Sequence, residues 1–212
     1  MAKRSAPEVN AGSMADIAFL LLIFFLVTTD IATDSGLSRK LPPWEPNDTE
    51  EPVIIKEKNI FALTLNSNND ILLTTGDGSE RVALKDLRAQ ATAFLDNGGG
   101  KDALACKRCQ GAKSPGSSDN FQKAVISLAN DRLTNYETYI AVQNEILGAY
   151  NNIRNREFKK DYPNLGMDFV EATAMYLEPG MEDKDKEKLK EKLEAIKLIV
   201  PQKFSEAEAK RD

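Results

Sequence analysis

The chain contains no histidine. That absence excludes Ser-His and Cys-His nucleophile pairs and every imidazole metal ligand. Cysteine is scarce: Cys106 and Cys109 are the only two, too few to complete a four-ligand zinc site within one chain. Tryptophan occurs once, as Trp44. An excess of positive charge is missing as well, with 28 Lys+Arg against 33 Asp+Glu. No basic stripe marks a nucleic-acid footprint, so nucleic acid is not expected as a partner. Carboxylate or lysine chemistry remains open, but the inventory points away from an enzyme and supplies no cofactor or metal site. A length of 212 residues suits one modest domain with an anchor or a second small unit.

Charge is also missing from one long stretch. Between Glu8 and Asp30 the sole charged side chain is Asp16. As a helix, Val9 to Thr29 spans roughly 31 Å, about the hydrocarbon thickness of a bilayer. The uninterrupted apolar run Ile17 to Val27 is too short alone, so the span has to include Asp16. This predicts a cytoplasmic tail over 1–10 and a single transmembrane helix over 11–30. Lys3 and Arg4 precede the span, and Asp30 and Asp34 follow it. The positive-inside rule then puts the N-terminus in the cytoplasm and the remaining chain across the membrane. A cleaved signal peptide is the alternative. The long stretch before Ile17 and the lack of a clean small-residue site in "TTDIATD" favour an uncleaved anchor.

An ionised Asp near a helix centre costs at least about 2.5–3.5 kcal/mol. A solitary anchor gains nothing from it. Asp16 is therefore expected to face protein or a wet cavity and to carry protons, with pairing to a partner helix during assembly as the alternative. Helical spacing puts Gly12, Ser13, Leu20 and Ile23 on its face. These are the expected partner-facing positions; Phe19, Leu22 and Leu26 project from other sectors. Gly12 and Ser13 are small enough to admit another backbone.

Beyond the helix, residues 31–55 read as a Pro-rich linker, with Pro42, Pro43, Pro46 and Pro52 in "LSRKLPPWEPNDTEEP", extended and semi-rigid. Trp44 lies within it, a candidate for the membrane interface or for a partner. Residues 56–212 read as a small α+β domain of two layers, sheet and helices. In "IFALTLNSNNDILLTT", alternating Phe61, Leu63 and Leu65 and the turn "NSNND" predict a hairpin. Leu84, Leu87, Ala91, Phe94 and Leu95 share a helical face, with Gly98 as a stop. A flexible, cysteine-containing loop is expected near 96–120. "KAVISLAND" reads as a buried strand, and Tyr139, Val142, Ile146, Tyr150 and Ile153 as the core stripe of a long helix. Near the C-terminus Leu189, Leu193, Ile196 and Val200 make a narrow stripe on a charged helix. Asp183/Lys186, Asp185/Lys188 and Glu187/Lys190 are its i,i+3 pairs. A final strand is expected in "KLIV" or in "QKFSEAEA".

"VNAGSMADIAFLLLIFFLVTT" resembles the transmembrane helix of the ExbD/TolR family, and most resembles ExbD. The matching pattern is Asn10, then Asp16 opening the apolar run Leu20 to Val27, then Thr28-Thr29, then Leu41-Pro42 in the linker. Many members carry Thr-Pro shortly before the Asp, where this chain has Gly12-Ser13. "LANDRLTNYETYIAV" is similar to the family's strand-to-helix junction through Ala129, Asp131 and Tyr136. The resemblance implies an inner-membrane protein of a Gram-negative bacterium with a periplasmic domain, acting as a homodimer. Its partners would be a polytopic ExbB/TolQ-like ring and a TonB-like protein, with protons as the coupling ion carried by Asp16. A TolR- or MotB-like anchored subunit that grips peptidoglycan or a partner, with Asp16 serving assembly, is the alternative.

Cys106 and Cys109 form a C-x-x-C. In an oxidising compartment a local disulfide is expected; free or redox-active thiols, or a four-cysteine metal site shared by a dimer, are the other readings.

Overall fold

The structure, a computed structural model, describes residues 11–28 and 55–207. The chain divides into two units, residues 1–50 and 51–212. The tail over 1–10, most of the linker with Leu41-Pro42 and Trp44, and Thr29 lie outside the described residues.

In the first unit one helix, α1, runs Ala11–Thr28. Ile17, Phe19, Leu20, Leu21, Leu22, Ile23, Phe24 and Phe25 are all 41–60% exposed, so the helix is apolar on every side. Thr28 Oγ1 donates to the carbonyl of Phe24 at 2.7 Å. Among the described residues no helix is long and apolar enough to cross a membrane. Eighteen residues rise about 27 Å, short of the ~30 Å hydrocarbon core. The predicted span reaches past both ends of α1 into residues outside the description.

The second unit is α+β with a mixed sheet. Its elements are β1 (Ile60–Leu65), β2 (Ile71–Thr75), β3 (Gly78–Val82), α2 (Leu84–Leu95), β4 (Val125–Asn130), α3 (Tyr136–Asp161), α4 (Phe169–Leu177), α5 (Asp183–Ile199) and β5 (Phe204–Ala207). The sheet order is β3-β2-β1-β4-β5. The first three strands pair antiparallel; β4 runs parallel to β1, and β5 parallel to β4. Period-2 alternation decides which face is covered. Phe61, Leu63, Leu65, Ile71, Leu73, Val82, Ile126 and Leu128 are buried on one side. Thr64, Leu72 and Thr74 on the other side are exposed.

Helices α2 and α3 supply the second layer through Leu87, Ala91, Phe94, Leu95, Val142, Ile146, Ala149, Tyr150 and Ile153. Each large side chain of this core contributes about 1.5–3 kcal/mol by leaving water. Tyr139 is only partly buried at the edge of the stripe, and Leu84, at the first turn of α2, is 38% exposed. A separate smaller core joins Phe158 of α3 to Phe169, Ala172, Leu189, Leu193 and Ile196 of α4 and α5.

Several readings change. "GSERV" forms β3, an edge strand that closes a second hairpin. Of the two places expected for the final strand, "QKFSEAEA" holds it, as Phe204–Ala207, while "KLIV" completes α5 and the turn after it. Residues 163–177 hold α4, whose Asp168 closes a full capping box with Glu171. Of the three expected pairs on α5, Lys188 reaches Asp185 at 3.2 Å, and Lys186 instead lies over the Tyr176 ring at 5.3 Å.

The segment expected as a flexible loop is tied down. Asp96, Asn97, Ser118 and Asp119 are buried. The Asn97 side-chain amide donates to the carbonyls of Ser114 and Ser118 at 2.9 and 2.8 Å. Asn59 donates to Asp119, and Asn59 Oδ1 accepts from the Asp119 N–H. Local composition read as slack; the long-range bonds to Asn97 and Asn59 remove it.

Candidate functional site

Asp16 sits in the second turn of α1, and its side chain is exposed. It has no hydrogen-bond or ion-pair partner among the described residues. Positions 12, 13, 20 and 23 fall one or two turns from it, so Gly12, Ser13, Leu20 and Ile23 lie along its face of the helix. Phe19, expected in another sector, is at i+3 and borders this face, about 60° around the axis. Leu20 and Ile23 are 57% and 41% exposed.

In the second unit the junction between β4 and α3 is built from Asp131. Its N–H donates to the carbonyl of Leu65 at 2.9 Å, and its carboxylate accepts from the N–H of Leu133 at 2.8 Å. Thr134 Oγ1 reaches the carbonyl of Asn66 at 3.1 Å, and the Asn135 N–H donates to the Asn69 side chain at 2.9 Å. These bonds pin the start of α3 to the first hairpin's turn. Ala129 pairs with Thr64 inside the sheet. Tyr136 opens α3 with 73% of its surface exposed. Asp131 is a structural joint here.

Cys106 and Cys109 are joined in a disulfide. Cys109 is buried, and Gly98, at φ +71°, lies against it so closely that a Cβ there would meet the Cys109 Cβ at 2.8 Å. Between the two cysteines Arg108 turns toward α3. Its Nη1 donates to Glu157 at 2.9 Å and to Asp161 at 3.0 Å. Arg156 donates through Nε to Glu157 at 3.0 Å and through Nη2 to Asp96 at 2.9 Å. Glu157 is fully buried at 0% exposure. Hydrogen bonds to Glu157 and then to Asp161 hold the Arg108 guanidinium above its ordinary value; the bond to Asp96 does the same for Arg156. Sequence reading missed this network, because Arg156, Glu157 and Asp161 look like the solvated face of a long helix. The signal that was present is the charged pair "KR" enclosed by two cysteines.

Two open clefts lie on the surface of this unit. One, about 430 Å³, is lined by Arg88, Asn144, Asn151, Asn152, Asn155 and Asp168 among others. The other, about 330 Å³, lies between β2, β3, α2 and the cysteine loop, with Lys58, Asp77, Glu80 and Gln90 at its walls. Among the described residues no group of three His, Cys, Asp or Glu side chains is placed to hold a metal.

An apolar helix with a single carboxylate, carried on the same chain as a small mixed-sheet domain, defines a class of two-part proteins. The chain belongs to the family described as Biopolymer transport protein ExbD/TolR, whose model matches residues 2–155. That match takes in α1 with Asp16 and the domain as far as the last third of α3. Helices α4 and α5 and strand β5 lie beyond it. No curated protein and no solved structure matches the chain. Membership assigns the chain to biopolymer transport.

Proposed function

We propose that the chain is an ExbD-like subunit of an inner-membrane motor driven by the proton motive force, with Asp16 as its proton carrier. One observation carries the reading. Asp16 is the single carboxylate on a helix that is apolar all round, and an all-round apolar helix needs a lipid or protein environment. A charge there is costly, so a functional partner for it is the default. The family match, which includes this helix, supports the same conclusion.

In this reading α1, extended at both ends, spans the membrane with the N-terminus in the cytoplasm. Two copies stand inside a polytopic ring of ExbB/TolQ type. Gly12, Ser13, Leu20 and Ile23 face that ring, which supplies the polar group that Asp16 engages. Protonation neutralises the carboxylate and lets the helix pass an apolar stretch; release recharges it. One charge crossing the membrane is worth about 2.3 kcal/mol per 100 mV. The linker over 31–55 carries the motion to the periplasmic domain, residues 56–212, and on to a TonB-like partner.

Asp16→Asn in the assembled complex tests this. Uptake that depends on the proton motive force is expected to be lost while protein level and complex assembly are kept; wild-type uptake in the variant would sink the proposal. Asp16→Cys adds a geometric test. Cross-links to the ring are expected, and predominant links between the two copies would overturn the outward-facing arrangement.

The alternative, an anchored subunit that binds peptidoglycan with Asp16 serving assembly, draws on one observation, the asparagine-lined cleft. Planar amides suit sugar hydroxyls, yet no aromatic ring lines this cleft for a sugar to stack upon. A peptidoglycan pull-down of the full chain, with Asn151→Ala beside wild type, separates the two readings.

A further inference from the structure

The disulfide ring of four residues presents Arg108 to α3, and the same stretch of α3 holds the C-terminal arm. Arg154 Nε and Nη2 donate to the carbonyl of Val200 at 3.1 and 3.0 Å. Tyr150 Oη donates to the carbonyl of Lys203 at 3.0 Å. Lys203 also accepts the N–H of Ile126, where β5 joins the sheet. Phe158, one residue after Glu157, is the α3 side chain at the centre of the core shared with α4 and α5. Residues 150–161 of α3 are thus gripped from one side by the cysteine loop and from the other by the arm that ends in β5.

The two sulfurs are not equivalent. Cys109 is buried against Gly98, and Cys106 is only partly buried. The N–H of Cys109 donates to Cys106 Sγ at 3.0 Å, a contact that stabilises negative charge on that sulfur.

We propose that Cys106–Cys109 is an exchangeable disulfide that reacts with small thiols and dithiols, and that opening it slackens the α4–α5–β5 arm. A thiolate attacks Cys106 Sγ. The S–S bond breaks, its electron pair leaves on Cys109 Sγ, and that sulfur takes up a proton. A second thiol attacks the external sulfur of the mixed disulfide and releases Cys106 as a thiolate beneath the Cys109 N–H. In total, two thiols are oxidised to one disulfide and the protein disulfide is reduced to two thiols. With the ring open, Arg108 has to be ordered anew to reach Glu157, and a buried carboxylate keeps only Arg156. The coupling is reciprocal: if the closed ring favours the Arg108 bonds, those bonds favour the closed ring. Charge-assisted bonds of this kind shift such an equilibrium about tenfold or more.

The test uses the full-length chain purified in detergent, with dithiothreitol as the reductant and alkylation at Cys106 and Cys109 read by mass spectrometry. Arg108→Ala and the milder Arg108→Gln should open at about tenfold less dithiothreitol than wild type. Amide hydrogen exchange is compared between oxidised chain, reduced chain and a Cys106→Ser/Cys109→Ser variant. Exchange in residues 204–207 should quicken at least about tenfold in the two open forms, with β1 and β2 unchanged. Three results would overturn the proposal. They are a disulfide that resists dithiothreitol in the folded chain, identical reduction curves with and without Arg108, and exchange that is unchanged at β5 or rises equally in β1 and β2. The last would make the bridge a plain staple of the whole domain.

Discussion

Arg156→Met removes the cation that joins Asp96 to Glu157. In the intact cluster three carboxylates, Asp96, Glu157 and Asp161, surround two guanidiniums, Arg108 and Arg156. The substitution leaves three negative charges around one positive charge. Glu157 is fully buried and Asp96 is 7% exposed, so neither recovers its lost partner from water. Removing one member of a buried pair costs about 3–5 kcal/mol. Two facts put this case at the lower end. Arg156 is itself 26% exposed, and Glu157 retains Arg108 at 2.9 Å. About 3 kcal/mol is therefore expected, which for a domain of this size lowers Tm by about 6–12 °C. Thermal unfolding of the full chain followed by circular dichroism reads it. Arg88→Ala is the internal control, because Arg88 meets Glu145 at 2.8 Å with 47% of the arginine side chain exposed. That loss should stay below about 1 kcal/mol and fade in high salt, while the Arg156 effect persists. If Arg156→Met lowers Tm no further than Arg88→Ala does, the cluster is not holding the loop to α3 and the reasoning fails.

Ile196→Ala opens the smaller core at a fully buried site and should cost about 2–5 kcal/mol, whereas Leu198→Ala, 78% exposed, should stay within about 0.5 kcal/mol; equal losses in urea unfolding would show that α5 does not pack as described. Burial pushes the Asp119 carboxyl up, but hydrogen bonds from Lys58 and Asn59 outweigh it and hold the group below its ordinary value. A depressed folded value contributes stability that is present above the unfolded value, about pH 4, and is lost as pH falls through the folded one. Asp119→Asn should therefore flatten the acid limb of stability below about pH 4, and an unchanged slope between the two proteins refutes the assignment. Gly98→Ala should destabilise by more than Gly166→Ala. Both glycines have a left-handed φ, +71° and +64°, but only Gly98 meets a neighbour where the Cβ would go. The left-handed conformation alone costs about 1–2 kcal/mol, and denaturant midpoints that fall equally in the two variants would contradict the Cys109 contact.

Much of the sheet was legible because burial leaves a period. Phe61, Leu63 and Leu65 alternate, and Val142, Ile146, Tyr150 and Ile153 follow the helical repeat, so β1 and α3 announce themselves. Strand β3 does not. As an edge strand it buries Val82 alone, and Ser79, Glu80 and Arg81 carry no alternating signal. The order of the cysteine loop was hidden for a different reason. Asn97, Asp96 and Asp119 are polar residues whose partners lie far away in sequence, and composition is blind to that. Asp16 was conspicuous because a lone charge in an apolar run contradicts its surroundings. Arg156 and Glu157 were not, since charges on a long helix match the expectation of a wet face.

The order of the strands also sets the order in which the domain can be finished. The first two hairpins and α2 use neighbouring residues, so that half can form as soon as it is made. Strand β4 must then find β1 across the whole cysteine loop, and β5 must find β4 across three helices. Until Phe204 has been synthesised and freed, the outer edge of β4 stands open beside Ile126 and Leu128, with main-chain donors and acceptors unclaimed. Nascent chains are most prone to mispair at such an edge. Strand β5 is what closes it, so a chain stalled or clipped just short of Phe204 is more exposed to aggregation than one cut back much further, before β4 exists at all.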